Sequence, residues 1–518
     1  MPEIPDNRSE EPDQLTWLQR QRQRFGQRKA GDVISAQIGE DVRNVVVGKN
    51  VIQIGTLQIP RVLALLIVAG LVVIAISVGM LAFGRYFAKP VRMTGQFNIA
   101  VADFGELDAN RHVQATDNGH LLSTWVYTTL KDEYAQNPDL GKLGDVQIWQ
   151  DSPDIPGKNV KFGVIKGDTP QAREQAATAL AAKVGAHMVI YGNVSQETPT
   201  GLALEFYITP DLKPETSAII GRYLLGRPIP VPLSGSTSGL LSNIAIGDNL
   251  KTRTSALFYL TAGLTFDLLG RAQDALKIFQ QAETTLTTWQ AEDGKEILYF
   301  LIGREALFLD DDKMAETAAR QALAIRPDYA RAQLLLGGVF YRRAQRLPPA
   351  NRLLQPSALE IAIANYEQGV AQAEQTQDPL VQSIARLALA LAMRTAGQTD
   401  YLNKNFDQAN AAFDKATATI QAVLPVLETS QQYRLLGQAY LALGAANFQQ
   451  ADIYRALNNK TKQKEQLQQA QIAFTSCSAQ GAKAPLDQIL HEDVIAKNCQ
   501  PRQADVEKAL QQLEGGGT

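Results

Sequence analysis

The stretch 296–327, EILYFLIGREALFLDDDKMAETAARQALAIRP, decides how the C-terminal half of this chain is read. Tyr299, Ile302, Gly303 and Ala306 recur at helical spacing, then Ala315, Ala319 and Ala322 do so again, and Pro327 closes the unit. The same pattern precedes it, with Tyr259, Ala262, Gly263 and Phe266 on a first helix and Ala275, Phe279 and Ala282 on a second. A third unit has Leu336, Gly337 and Phe340 and resumes at Ala362 and Tyr366 after an insertion around Arg346 to Pro356. The fourth places Ala385, Ala388 and Leu391, then, after a long turn, Ala409, Phe413 and Ala416. The fifth has Tyr433, Leu436, Gly437 and Tyr440, then Ala470, Phe474 and Cys477, and Ala504 to Leu513 reads as a capping helix. Small residues let one helix lie closely on its partner, and large ones fill the gap to the next pair.

On these residues, positions 252–516 resemble the tetratricopeptide repeat (TPR), which implies an α-helical superhelix holding a protein or peptide partner on its concave face. The first-helix positions expected there are Arg304, Arg331, Tyr341, Arg342, Arg434 and Gln438. Their cationic bias suits an acidic segment or a free carboxylate, although solvated arginines on an unused groove would look the same.

Upstream, residues 211–251 are rich in Pro, Gly and Ser and read as a linker. Residues 94–210 alternate strands and helices: FNIAVADF at 97–104, a helix over 119–135, a strand over 146–149, an Ala-rich helix over 170–184, and strands at 187–194 and 202–208. That order implies a small α/β domain. FNIAVADF, the helix after it and AAKVGAHMVIYGNVSQ resemble the N-terminal domain of TolB and its relatives in bacterial envelope proteins. The resemblance implies an interaction module without catalysis. Asp103 and Glu106 could form an acid pair, but no histidine, lysine or metal cluster accompanies them in the sequence.

Residues 62–83, VLALLIVAGLVVIAISVGMLAF, carry no charge and read as one transmembrane helix within 61–85, long enough to cross a bilayer core of about 30 Å. Residues 1–32 read as a disordered tail whose basic stretch suits an anionic membrane surface. Between them, 33–60 is a Val/Ile/Gly-rich, β-prone segment. Its tetrad Ile52-Gln53-Ile54-Gly55 resembles the core of the RHIM amyloid-signalling motif, which would imply a homo-oligomer built by stacked strands; a small hairpin or a spacer is the alternative.

A net charge of -3 excludes the concentrated basic surface a nucleic-acid binder needs. The two cysteines and four scattered histidines offer no zinc spacing, and no cofactor is expected. Cys477 and Cys499 are either core thiols or a disulfide, and the bridge gains weight if they face an oxidising compartment. The resulting expectation is a non-enzymatic scaffold in the cell membrane of a bacterium. Its N-terminus is cytoplasmic and its large C-terminal region extracytoplasmic. A transmembrane signal transducer assembling through its tail, and an enzyme of unrecognised type, are the rivals.

Overall fold

A computed structural model describes residues 45–48, 51–54, 57–60, 92–108, 110, 112–137, 146–150, 162–195, 201–209, 219–230, 244–347, 357–376, 378–485, 487–488 and 490–515. The chain divides into two units, Met1–Lys89 and Pro90–Thr518. The expected membrane span lies outside the described residues. Among the described residues no helix is long and apolar enough to cross a membrane.

In the first unit, β1 (Val45–Gly48), β2 (Val51–Ile54) and β3 (Leu57–Pro60) form an antiparallel meander in that order. Its register sets Gln53 opposite Val46 on one side and Gln58 on the other, so the middle strand is paired along both edges.

The second unit opens with an α/β domain. Its sheet has the order β10 (Gly221–Leu224), β9 (Gly201–Ile208), β8 (Met188–Ser195), β4 (Phe97–Val101), β7 (Val146–Trp149). The hairpin of β5 (Gly105–Leu107) and β6 (Val113–Ala115) is attached to β8. β4 pairs in parallel with both β7 and β8, which explains its continuous apolar run: a central parallel strand is buried on both faces. The pleat sorts its side chains. Phe97, Ile99 and Val101 pack with Leu122, Val126 and Leu130 of α1 (Asp117–Gln136). Ala100 and Ala102 face Ala177, Leu180 and Val184 of α2 (Pro170–Val184). Pro170 at the start of α2 and Gly185 in left-handed conformation at its end are the start and stop signals expected of such a helix. β10 lies within the stretch read as linker, where four residues between turns carry too little pattern to reveal a strand.

The rest of the unit is helical. Five antiparallel pairs follow: α3 (Ile244–Leu268) with α4 (Ala272–Thr285), α5 (Lys295–Phe308) with α6 (Asp312–Ile325), α7 (Ala330–Arg346) with α8 (Ala358–Gln375), α9 (Pro379–Leu402) with α10 (Phe406–Thr429), and α11 (Tyr433–Ala456) with α12 (Lys460–Lys483). A π-helical segment, Leu490–Cys499, and α13 (Gln500–Gly515) close the array. Four pairs turn through one residue at positive φ: Gly270, Asp310, Lys404 and Asn458. Four pairs also share one contact, in which a first-helix glycine leaves room for a second-helix aromatic ring: Gly263 and Phe279, Gly337 and Tyr366, Gly397 and Phe413, Gly444 and Phe474. A Cβ at Gly444 would stand 2.6 Å from the Phe474 ring.

The fourth pair has no long turn. α9 and α10 are 24 residues each, and only three residues, 403–405, separate them, so the fourth and fifth glycines of the pattern are Gly397 and Gly444. Gly437 instead receives Leu490 and Val494 of the π-helical segment.

The α/β domain and the array share a core, since Leu122, Val126 and Phe206 belong to one apolar cluster with Phe258, Phe279, Trp289 and Leu336. Between α1 and α3, Tyr134 meets Phe258 edge-on at 4.9 Å, and Ser255 donates to Glu133 at 2.8 Å.

Candidate functional site

The first helices of successive pairs touch one another, α5 with α7, α7 with α9 and α9 with α11, and so line the inner face. Between α5, α7 and α9 this face sinks into a pocket of about 200 Å³. Phe300, Leu307 and Phe308 come from α5, Leu334, Leu335 and Gly338 from α7, Ile384 and Ala388 from α9, and Tyr366 of α8 closes the floor. Phe308 is 42% exposed, large for an aromatic ring that could have been buried.

The six expected concave-face residues behave differently from an open cationic groove. Arg304 is buried; its Nη1 meets Asp267 Oδ2 at 2.9 Å and the neighbouring Glu305 carboxylate, and its guanidinium lies 4.6 Å over Phe308. Two carboxylates thus share one guanidinium. Burial pushes the Glu305 carboxyl up to about 8, with Arg304 opposing and Asp267 adding to the rise. Arg331 is also buried, and the α/β domain covers it. Its Nη2 donates to the Ile220 carbonyl at 2.6 Å, stands 4.0 Å from Asp378 and lies over the Tyr223 ring. Arg342 pairs with Asp310 at 2.6 Å and Arg434 with Asp487 at 2.9 Å. The Tyr341 hydroxyl meets Thr395 Oγ1 at 2.8 Å, and Gln438 is half-buried on α11. The structure therefore brings Arg304 and Arg331 to the rim of one pocket and leaves Arg342, Arg434 and Gln438 elsewhere. Sequence reasoning missed the carboxylates that answer Arg331 and Arg434, because Asp378 and Asp487 lie 47 and 53 positions away from their partners. It also missed the apolar pocket. The signal was there in Val381, Ile384 and Ala388, an i, i+3, i+7 stripe on a first helix.

A second seam joins the α/β domain to the array. On α3, Arg253 donates through Nη1 to Leu225 O at 2.7 Å and to Arg227 O, and pairs with Asp293 at 2.7 Å, fixing the chain just after β10. β10 is an edge strand of the sheet, and the array covers it. Gly221, at φ 110, sits where a Cβ would stand 2.8 Å from Arg331 Nη2, so glycine is required by both conformation and space.

Asp103 has a histidine beside it after all: His120 Nδ1 is 2.7 Å from its Oδ1, at the C-terminal end of β4. Ser123 Oγ bonds to that carboxylate and to the His120 carbonyl rather than to the imidazole, so the three form no nucleophile-base pair. Glu106 lies on β5. Among the described residues no group of three or more His, Cys, Asp or Glu is placed to hold a metal. Cys477 on α12 and Cys499 at the end of the π-helical segment are joined in a disulfide, within a cluster that includes Leu490, Val494 and Ile495. Ile52, Gln53 and Ile54 lie on β2, and Gly55 lies outside the described residues.

No protein-family model matches the chain, and no curated protein matches it. Among solved structures it is similar to a thermophilic TPR protein of Thermus thermophilus, with 17% identity over 48% of this chain and 96% of that one and a TM-score of 0.29. It is similar also to aspartyl phosphate phosphatase F of Bacillus subtilis, at 18% identity over 55% and 78% with a TM-score of 0.29. A Rap protein complexed with competence and sporulation factor matches at 14% identity over 54% and 81%, with a TM-score of 0.28. At these scores the helix packing described above, and not the likeness, carries the fold.

Proposed function

We propose that this chain is a single-pass, membrane-anchored interaction scaffold whose helical array takes an apolar side chain of a protein or peptide partner into the pocket between α5, α7 and α9. The observation that carries the reading is the pocket itself, lined almost wholly by apolar side chains from three consecutive first helices and large enough for one bulky residue. Recognition is placed on apolar contact rather than on charge, since Arg304, Arg331, Arg342 and Arg434 are each matched by carboxylates of this chain. In this reading 62–83 is the anchor, the N-terminal tail is cytoplasmic, and the α/β domain, similar in its motifs to that of TolB, lies outside with the array. The Cys477–Cys499 bridge supports that side, because disulfides persist in oxidising compartments. Filling the pocket tests the function: Ala388→Trp should fold normally but lose the polypeptides that the full chain co-purifies from native membranes. An unchanged set of co-purifying polypeptides would contradict it.

The rival transducer asks Ile52, Gln53 and Ile54 to stack between chains. Both edges of β2 are already paired within one chain, so stacking would require the meander to exchange its partners. A peptide of residues 33–59 that forms fibrils with a spacing of about 4.7 Å would favour the transducer; one that stays soluble leaves the scaffold.

A further inference from the structure

Where the α/β domain meets the third and fourth helix pairs, charged groups from five elements converge above Gly221. A Cβ there would lie 2.8 Å from Arg331 Nη2 of α7 and 3.9 Å from Glu174 Oε1 of α2, so guanidinium and carboxyl share one small space. Asp378, the N-cap of α9, contributes Oδ2 at 4.0 Å from Arg331, while its Oδ1 accepts from the amides of Leu380 and Val381. Arg222 of β10 is engaged by Glu205 of β9 at 2.9 Å, and Arg173 of α2 takes the other oxygen of Glu205 at 3.0 Å. Tyr191 of β8 adjoins this group and stays neutral, since burial drives its hydroxyl well above the ordinary range. Every carboxylate here except one therefore has a cation within ion-pair reach. The exception is Glu174, which makes no ion pair among the described residues and lines a cleft of about 720 Å³ between α2 and the array, beside Leu380, Val426 and Gln432.

We propose that Glu174 is a pH-dependent latch on the contact between the α/β domain and the array, closed while its carboxyl is protonated and loosened when it ionises beside Asp378 with water entering from the cleft. The contact between α1 and α3, held by the Tyr134–Phe258 rings and the Ser255–Glu133 hydrogen bond, stays in place; what the latch governs is the seat of β10 on α7 and α9. Burial pushes the Glu174 carboxyl up to about 7, Asp378 adds to this by like charge, and Arg331 and Arg222 oppose it. The sign follows from linkage. A carboxyl at about 7 in the closed contact and at its ordinary 4.5 in the open one favours closure when protonated. That contribution is complete below 4.5 and is lost as pH rises through 7. The latch needs no partner and is independent of the scaffold reading.

Hydrogen exchange of the backbone amides of β10 tests it in the full chain, at pH 5, 6, 7 and 8, with each rate corrected for intrinsic exchange and referred to amides of α11. Protection of β10 should fall about tenfold from pH 6 to pH 8. Glu174→Gln should hold it flat at the low-pH level. Asp378→Asn keeps a good N-cap for α9 and removes the like charge, so it should move the midpoint to lower pH. A flat profile in the unmodified chain, a slope that survives in Glu174→Gln, or a midpoint unmoved by Asp378→Asn would each overturn the latch.

Discussion

The guanidinium of Arg331 lies over the ring of Tyr223, 4.5 Å from its centre, and this contact ties the edge of the α/β sheet to the inner face of the helical array. An arginine that the sequence offers as a ligand-binding group is thereby used to hold the protein's own domain in place. Arg331→Ala should destabilise the chain by about 3–5 kcal/mol, because it leaves the Ile220 carbonyl without its buried donor and Asp378 without its neighbouring cation. Gly221→Ala should cost about 1–3 kcal/mol through its positive φ and the crowding of Arg331. Chemical denaturation of each variant, with hydrogen exchange localising the loss to β10, checks both figures.

The glycine and ring pairs give a sharper contrast. Gly444→Ala forces a methyl against the Phe474 ring and should destabilise by about 1–3 kcal/mol. Gly338→Ala, whose added Cβ would meet nothing nearer than Leu307 Cδ2 at 3.5 Å, should be stabilising by about 0.5–1 kcal/mol. Equal effects in thermal unfolding would refute the account of how the pairs pack.

These pairs also mark what the sequence reveals and what it conceals. Gly263, Gly303 and Gly337 are legible because each stands at the glycine position of a regular repeat, beside Ala262, Ile302 and Leu336. Gly397 and Gly444 are not, because α9 and α11 run for 24 residues and several small residues along each compete for the same role. FNIAV is legible as a strand since burial on both faces makes it apolar at every position but Asn98. β10 is hidden among Pro and Gly, its placement decided by Arg253 and Arg331, which are distant in sequence. The candidate site divides the same way: the arginines can be found in the chain, but their neutralising partners and the pocket beside them exist only once the helices are stacked.

Glu305 predicts a pH dependence of the array itself. Its carboxyl, at about 8 when folded and 4.5 when free, favours the folded state when protonated. Its contribution is complete below pH 4.5 and lost as pH rises through 8. Urea unfolding at pH 5 and pH 8 should show the unmodified chain weaker at pH 8, and Glu305→Gln should remove much of that difference.

Reduction of Cys477–Cys499 should cost about 2–4 kcal/mol, felt mainly in α12 and the π-helical segment. Hydrogen exchange before and after reduction should leave α3 to α6 unchanged. In protein taken directly from native membranes both thiols should resist alkylation; ready alkylation would count against the extracytoplasmic assignment.

A partner seated in the inner-face pocket should be captured by site-specific photo-cross-linking. A benzoylphenylalanine placed at Ile384, and another at the exposed Gln281 of α4, would be irradiated in cells carrying the full chain. A discrete cross-linked polypeptide is expected from Ile384, absent from Gln281 and lost when Ala388→Trp fills the pocket. Cross-links that are the same at both positions, or that persist in the filled pocket, would contradict it.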